Sequence, residues 1–364
     1  MKNLSLCFLL FSMFSTAVLW GQETNNFDIH AGIYYGNGIG KVKGIESNYL
    51  QGASVGVSKI LNPNHAEWID KLHAKRWNWS FLYTDMDGIQ QHFSYGKSYS
   101  LATGLDFEIL KYRLFSLYLS PKSGITYVTE TVSTNSDTYI FGSHINFLFG
   151  FGLSAEYRLT ENWSVDPYFQ ILHMSNGGLK LPNAGVNALV YGLTLHKKIA
   201  NVKNTEPENA TPSSEQMKTN GLELAAGIGW RGKYKSDSHF FRSGFYLGYS
   251  RYFNSYFALR SGVDVVYYGQ VFNPEVYDDS IPYWGKSYDH FRAGLSVGAE
   301  VKFGKLALNA NAGRYVYMKS PYHQKLYWNA AFRYYFVPTF GIQAGLNAHK
   351  FQADFLNFGI FCRL

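Results

Sequence analysis

Apolar and polar residues alternate along many stretches of this chain, most cleanly over residues 144–157. One face of that stretch carries Ile145, Phe147, Phe149, Phe151, Leu153, Ala155 and Tyr157, and the other carries His144, Asn146, Gly150, Gly152, Ser154 and Glu156. Successive side chains of a β-strand point to opposite sides, so a period of two predicts a strand. An apolar outer face opposite a face of polar or small residues is typical of a small membrane β-barrel.

The alternating stretches fall into two sets of about eight. The first set occupies residues 28–35, 47–61, 77–85, 98–110, 116–131, 144–159, 163–175 and 186–196. The second set occupies residues 222–231, 241–253, 257–270, 290–303, 306–318, 326–336, 339–349 and 351–364. Long polar connections alternate with tight ones in the first set, as in membrane barrels. The connection over residues 62–76 is an exception, because it is long on the short-turn side, and its sequence predicts a helical turn.

The polar stretch 201–220 separates the two sets and predicts a linker. It contains Pro207, Pro212, Ser213 and Ser214 and has no apolar period. We therefore expect an all-β protein with two tandem eight-stranded transmembrane barrels, over residues 22–200 and 221–364. One sixteen-stranded barrel is the alternative, because it would also leave no strand edge unpaired. Pairing between the strands at residues 28–35 and 186–196 would distinguish the two architectures.

The composition favours a membrane barrel over a soluble globule. Charged residues make up 16% of the chain, against about 25% in typical soluble domains. Aromatic residues make up 18%. The net charge of +7 is spread along the chain, so we expect no nucleic-acid partner. After the first apolar run, no segment approaches the roughly 18 apolar residues of a transmembrane helix.

Residues 1–21 predict a secretory signal peptide, because Lys2 precedes an apolar run that ends in small residues. With this segment removed, Cys362 is the only cysteine, so no intrachain disulfide is expected. An exported chain with alternating strands and no spanning helix indicates the outer membrane of a Gram-negative bacterium.

A polar segment, residues 173–187, interrupts the last two strands of the first set. His173 and Ser175 fall on the apolar face of the seventh strand, and Asn187 falls on the apolar face of the eighth. A serine hydroxyl is a weak nucleophile until a neighbouring imidazole accepts its proton, so these residues suit a serine hydrolase. A polar fringe at the membrane interface is the plainer interpretation.

The full string of residues 173–187, His-x-Ser-Asn-Gly-Gly-Leu-Lys-x-Pro-Asn-x-Gly-x-Asn, resembles the lipid A deacylase family of the PagL type. These acyloxyacyl hydrolase-like proteins are outer-membrane barrels that remove an ester-linked acyl chain from the 3-position of lipid A. The resemblance covers about residues 22–200 and implies that Ser175 is the nucleophile and His173 the general base. The family's glutamate, which orients the histidine, falls on Asn187.

Asn187 departs from the family pattern. An amide oxygen can accept the histidine Nδ1 proton and fix the ring, but it brings no charge to stabilise the imidazolium. We expect Asn187 to act as a neutral orienting residue. The alternatives are that another acid, such as Asp137 on a neighbouring loop, serves instead, or that the site is slow.

The tetrahedral oxyanion formed in ester hydrolysis needs hydrogen-bond donors. The backbone N–H groups of Asn176, Gly177 and Gly178 are the candidates, and Asn183 can add a side-chain donor or shape the loop. Turn formation alone would also explain the glycines. Lys180 lies on the same loop, where it can hold a lipid A phosphate or remain a solvated charge.

The sequence predicts no metal and no cofactor. The remaining histidines lack metal-ligand spacing, and no phosphate-binding or dinucleotide motif is present. We expect an outer-membrane serine esterase that acts on the lipid A of lipopolysaccharide through an acyl-enzyme at Ser175. The alternative is a non-catalytic barrel acting as an anchor, adhesin or small pore. It is favoured by Asn187 in the acid position and by a second half without the motif.

Overall fold

Strand pairing divides the chain into two antiparallel sheets. The computed structural model of the protein describes residues 27–39, 47–90, 95–136, 138–199, 220–276, 281, 283–350 and 352–364. The expected signal peptide, most of the expected linker and Asp137 lie outside these residues. The last strand of the first sheet ends at Ile199, and the first strand of the second sheet begins at Asn220.

The first sheet, which we call barrel 1, contains ten strands. They are β1 (Phe27–Gly38), β2 (Ser47–Ile60), β3 (Ala74–Asp85), β4 (Ile89–Gln90), β5 (Lys97–Tyr112), β6 (Phe115–Leu119), β7 (Lys122–Val128), β8 (Ile145–Arg158), β9 (Trp163–Ser175) and β10 (Val186–Ile199). β1 pairs with β2 on one side and with β10 on the other, so the sheet closes on itself. This pairing confirms the prediction of two barrels rather than one of sixteen strands.

The second sheet, which we call barrel 2, is a closed barrel of eight strands. They are β11 (Asn220–Gly232), β12 (His239–Tyr252), β13 (Phe257–Tyr268), β14 (Phe291–Phe303), β15 (Leu306–Tyr317), β16 (Leu326–Val337), β17 (Phe340–His349) and β18 (Gln352–Arg363). Each strand pairs with the next, and β18 pairs with β11. The predicted all-β fold is therefore confirmed in both halves.

The sequence predicted one continuous strand over residues 116–131, and this prediction is wrong. The segment is divided at Pro121 into β6 and β7, which together occupy one position of barrel 1 between β5 and β8. Proline has no N–H to donate to a neighbouring strand, so it interrupts the ladder. The Pro121 carbonyl oxygen still accepts a hydrogen bond from the Leu105 N–H at 3.1 Å.

The exceptional connection between β2 and β3 is helical, as predicted. It contains a 3-10 turn (Pro63–His65) and one short helix, α1 (Glu67–Lys71). No helix in the described part of the chain is long and apolar enough to cross a membrane.

The outward faces of both barrels are largely apolar, whereas the inward faces carry many polar and charged side chains. In barrel 1, the inward residues also include a buried apolar cluster that contains Leu148, Leu172 and Met174. On β8, Phe151 is 56% exposed, whereas Ser154 is buried. Inside barrel 1, the guanidinium of Arg76 lies 2.8 Å from an Asp106 oxygen and 2.6 Å from an Asp166 oxygen. Ion pairs neutralise charges that are removed from water. The lumen of barrel 1 is thus occupied by side chains, paired around Arg76 and apolar around Leu172 and Met174, as in other barrels of this size.

Barrel 2 is filled in the same way. Arg333 lies between two carboxylates, 2.7 Å from Glu223 and 2.8 Å from Glu300. Arg260 forms a second ion pair with Glu223. Paired charges therefore cross the lumen of each barrel, and neither arrangement is that of a wide channel.

The two barrels contact each other at both ends. Near the start of β1, the α1 helix packs on barrel 2, with the Trp68 ring edge-on to the Phe303 ring at a centroid distance of 5.6 Å. The Ser255 hydroxyl donates a hydrogen bond to Glu67 at 2.5 Å in the same region. At the opposite end, which we call the motif end, residues 176–181 contact the turn that follows β11.

Candidate active site

Three polar side chains from β9 and β10 meet at the motif end of barrel 1. His173 lies directly opposite Asn187 across the two strands, and Ser175 follows two residues along β9. The His173 Nδ1 atom lies 2.7 Å from Asn187 Oδ1, and the His173 Nε2 atom lies 2.8 Å from Ser175 Oγ. Strand period and hairpin register thus bring together the three residues that the sequence singled out.

These side chains lie on the outer surface of barrel 1. Phe169 and Ile171, which share their face of β9, are 51% and 49% exposed. The alternate residues Leu172 and Met174 point inward and are buried. His173 and Ser175 are half-buried, and Asn187 is exposed. A substrate can therefore reach the hydroxyl only from outside the barrel.

The bonding partners fix the protonation pattern of the histidine ring. An amide oxygen can only accept a hydrogen bond, so the Nδ1 atom that faces Asn187 Oδ1 carries the proton. The Nε2 atom then has a free lone pair and accepts the hydrogen bond that the Ser175 hydroxyl donates. This arrangement allows the imidazole to remove the serine proton as the oxygen attacks an electrophile.

Asn176 organises the loop that follows β9. Its side-chain nitrogen donates to Ser143 Oγ at 2.9 Å and to the Lys180 carbonyl oxygen at 2.8 Å. Its side-chain oxygen accepts the Gly178 N–H at 3.0 Å. Asn176 is buried, so these bonds satisfy an amide that has left water. Ser143 was not identified from the sequence, because it belongs to a distant loop.

The glycines of the loop adopt a backbone conformation that other residues rarely tolerate. Gly177 and Gly178 have φ angles of +65° and +88°, and Gly185 at the end of the loop has a φ of +70°. An L-residue with a Cβ atom would be strained in this region. The glycines are therefore required by the turn, whatever further role they have.

The three predicted backbone donors differ in their availability. The Asn176 N–H is bonded to Asn183 Oδ1 at 3.0 Å, and the Gly178 N–H is bonded to Asn176. In the part of the chain that the structure describes, no hydrogen bond uses the Gly177 N–H. Since Asn183 is anchored through its oxygen, its side-chain nitrogen is left to donate. Of the four predicted donors, the N–H of the buried Gly177 and the side-chain nitrogen of Asn183 are thus the two that have no partner among the described residues.

Lys180 has a partner that the sequence did not suggest. Its Nζ atom lies 2.7 Å from an Asp237 oxygen in the turn after β11. The hydrogen bond from Lys180 lowers the pKa of the Asp237 carboxyl below its usual value. Asp237 is 93% exposed, so the pair is open to solvent. No sequence signal links these residues, because their contact depends on how the two barrels dock.

Among the described residues, one cluster inside barrel 1 has the residue types of a metal site. Asp28, His30 and His196 are buried inside barrel 1, with their ligating atoms within 4.8 Å of one another. Each His30 ring nitrogen contacts a serine hydroxyl, at 3.1 and 3.0 Å. The guanidinium of Arg76 lies 3.4 Å from His196 Nδ1 and would repel a cation there. These groups are better explained as part of the polar filling of the barrel.

Two family models match the chain, one in each half. The model described as lipid A 3-O-deacylase (PagL) matches residues 51–196. The model described as acyloxyacyl hydrolase, C-terminal domain, matches residues 220–364. The matches cover most of both barrels, and the second extends the family likeness beyond the residues 22–200 expected from the sequence motif.

Several solved structures resemble the fold. Neisserial surface protein A is 13% identical with a TM-score of 0.31, and covers 48% of this chain and 97% of its own. The outer membrane enzyme PagL is 19% identical with a TM-score of 0.30, and covers 47% of this chain and 99% of its own. The outer membrane protein Omp33 of Acinetobacter baumannii is 10% identical with a TM-score of 0.17, and covers 94% and 99%. Among curated proteins, none matches the chain.

Proposed function

Because this chain belongs to the lipid A 3-O-deacylase (PagL) family in its first half and carries an acyloxyacyl hydrolase C-terminal domain in its second, we propose that it is an outer-membrane serine esterase. Its substrate is the lipid A of lipopolysaccharide, from which it removes the ester-linked acyl chain at the 3-position. The observation that carries the proposal is the hydrogen-bonded series Ser175–His173–Asn187 on the outside of barrel 1.

The position of the site suits a substrate that remains in the membrane. The exposed apolar residues on the same face of β9 contact acyl chains, and the motif end faces the cell exterior in the outer membrane. Ser175 then lies at the level of the sugar and ester groups of the outer leaflet. Lipid A reaches the hydroxyl by lateral diffusion and does not have to enter the barrel.

The reaction proceeds through an acyl-enzyme. Ser175 Oγ attacks the ester carbonyl carbon while His173 Nε2 takes the hydroxyl proton. The C–O bond to the sugar then breaks, and His173 returns the proton to the departing sugar oxygen. Water next attacks the acyl-serine with His173 again as the base, and the fatty acid is released. Asn187 holds the ring through Nδ1 in each step.

The loop supplies the oxyanion hole. We assign the two donors to the Gly177 N–H and the Asn183 side-chain nitrogen, since both are unused in the described structure. Asn176 and Gly178 hold the loop in shape through their mutual hydrogen bond. None of these steps requires a metal or a cofactor.

Lys180 is assigned to a phosphate of lipid A. Its present partner, Asp237, is solvent-exposed, and an exposed ion pair is weakened by water and salt. Lys180 can therefore exchange that carboxylate for a phosphate group when the substrate is bound.

The proposal is tested by the mass of lipid A from cells that produce the protein. We expect wild-type protein to remove one acyl group and Ser175→Ala to leave the mass unchanged, since loss of the nucleophile costs at least about 10⁴-fold in rate. Ser123→Ala is the matched control, because Ser123 lies on the same face of the sheet, in register with His173 through Phe149. Deacylation by Ser175→Ala at the wild-type rate would refute the assignment.

A further inference from the structure

Barrel 2 carries no catalytic motif, yet its backbone is bonded to the loop that follows Ser175. The Gly232 N–H at the end of β11 donates to the Gly178 carbonyl oxygen at 2.9 Å. Two residues further on, Tyr234 forms a parallel bridge with Leu181, and the Lys235 N–H donates to the Leu181 carbonyl oxygen at 3.1 Å. The loop is thus fixed to barrel 2 on both sides of Lys180.

Side chains of barrel 2 also pack against the loop glycines. A Cβ atom added to Gly177 would lie 2.8–3.0 Å from three atoms of the Leu356 side chain. A Cβ atom added to Gly178 would lie 3.1 Å from the Arg231 guanidinium. That guanidinium is itself held by the carbonyl oxygens of Ala353 and Asp354, at 3.0 and 2.6 Å. The surface against the loop is therefore ordered by contacts within barrel 2.

We infer that barrel 2 is a positioning element of the esterase site: β11, its following turn and Leu356 set the backbone of residues 176–181. This inference depends on the proposed function, because the loop supplies the oxyanion donor at Gly177. Two adjacent glycines have many accessible conformations when they are unsupported. A donor stabilises an oxyanion only where it is already oriented, and barrel 2 provides that orientation for this loop.

The same contacts explain why β11 ends in glycine. A Cβ atom at Gly232 would lie 2.6 Å from the Leu179 carbonyl oxygen and 2.7 Å from the Lys180 Cα atom. Both are backbone atoms of the loop, so an added methyl group must displace the loop itself. Gly232 has no positive φ, so alanine can adopt its backbone conformation. Gly232→Ala is therefore a probe on barrel 2 that acts on the loop without touching the reacting groups.

The test is steady-state kinetics of the full-length protein on lipid A dispersed in detergent. Gly232→Ala should lower kcat roughly 10²-fold, because a shift of about 1 Å in a catalytic group has that effect, with little change in KM. The control is Gly262→Ala, whose Cβ atom would meet Leu247 and Gly248 backbone atoms at 2.5 and 2.6 Å, within barrel 2 alone. It imposes a comparable clash away from the loop and should keep kcat near the wild-type value.

A second variant covers the case in which Gly232→Ala does not fold. Leu356→Ala removes the side chain beside Gly177 without a clash and should cause a smaller fall in kcat. Its control is Leu308→Ala, an exposed leucine of β15 on the opposite side of barrel 2. A folded Gly232→Ala or, failing that, a Leu356→Ala protein with wild-type kcat would overturn the inference while Ser175-dependent activity stands. Absence of Ser175-dependent activity in the wild type would instead overturn the proposed function.

Discussion

Asn187 determines how well a positive charge on the His173 ring can be stabilised. Its amide oxygen orients the ring at 2.7 Å but carries no negative charge. In the proposed mechanism, the imidazolium that forms when Ser175 attacks is therefore stabilised less than it would be beside a carboxylate. Since Asn187 is exposed on the outer surface of barrel 1, a carboxylate introduced there would not be buried inside the protein.

Variants at Asn187 should change the rate in opposite directions. Asn187→Ala removes a hydrogen bond of about 1 kcal/mol and should lower kcat about fivefold to tenfold. Asn187→Glu and the isosteric Asn187→Asp should raise kcat and move the acidic limb of the pH–rate profile to higher pH, because a carboxylate favours protonated imidazole. The pH dependence of acyl release from lipid A provides the measurement. Equal rates in all four proteins would show that the residue does not act through His173.

His173, Ser175 and Asn187 could be predicted from the sequence because their proximity depends only on strand period and hairpin register. The contacts of Lys180 with Asp237 and of Gly178 with Gly232 could not be predicted in this way. They arise from docking between two barrels that are distant in sequence. The hydrogen bond from the Asn176 N–H to Asn183 could not be predicted either, because it depends on the conformation of the turn.

The strands follow the alternation of the sequence closely, because lipid and lumen impose opposite demands on successive residues. The division at Pro121 is the exception, and its cause is visible in the sequence, as proline lacks a donor for the ladder. The alternation did not predict which of the inward-facing charged residues form ion pairs with one another. The ion pairs of Arg76 join β3 to β5 and to β9 across the lumen.

Arg76 should contribute strongly to the stability of barrel 1. Arg76→Leu would remove the guanidinium shared by the Asp106 and Asp166 carboxylates and leave Asp166 with His196 at 3.4 Å, at a cost of about 3–5 kcal/mol in the free energy of unfolding. Urea unfolding of the protein in detergent micelles provides the measurement. Arg158→Leu, at an exposed arginine of β8, should change that free energy by less than about 0.5 kcal/mol.

A second substitution tests whether the loss of stability comes from the buried carboxylate charges. Adding Asp166→Asn to Arg76→Leu removes one of the two buried carboxylate charges that lost their guanidinium partner and should recover part of the lost stability. If Arg76→Leu were as stable as the wild type, the ion pairs would not be what holds the lumen together.

The described residues form two filled barrels that contact each other at both ends. The α1 helix packs on barrel 2 near the start of β1, and residues 176–181 pack on it at the motif end. Paired side chains cross each lumen, which argues against the pore interpretation. In the proposed function, the chemistry takes place on the outer surface of barrel 1, and barrel 2 contributes to it by holding the loop that follows Ser175.

The central claim is that Ser175, activated by His173, is the nucleophile of a membrane-facing esterase. The most direct test is to treat the full-length protein with a fluorophosphonate, which bonds to an activated serine oxygen with loss of fluoride, and to locate the label by peptide mass spectrometry. We predict a label on Ser175 in the wild type, and none in His173→Ala, which lacks the base. A label confined to another residue, or an unlabelled Ser175 in a protein that deacylates lipid A, would contradict the claim.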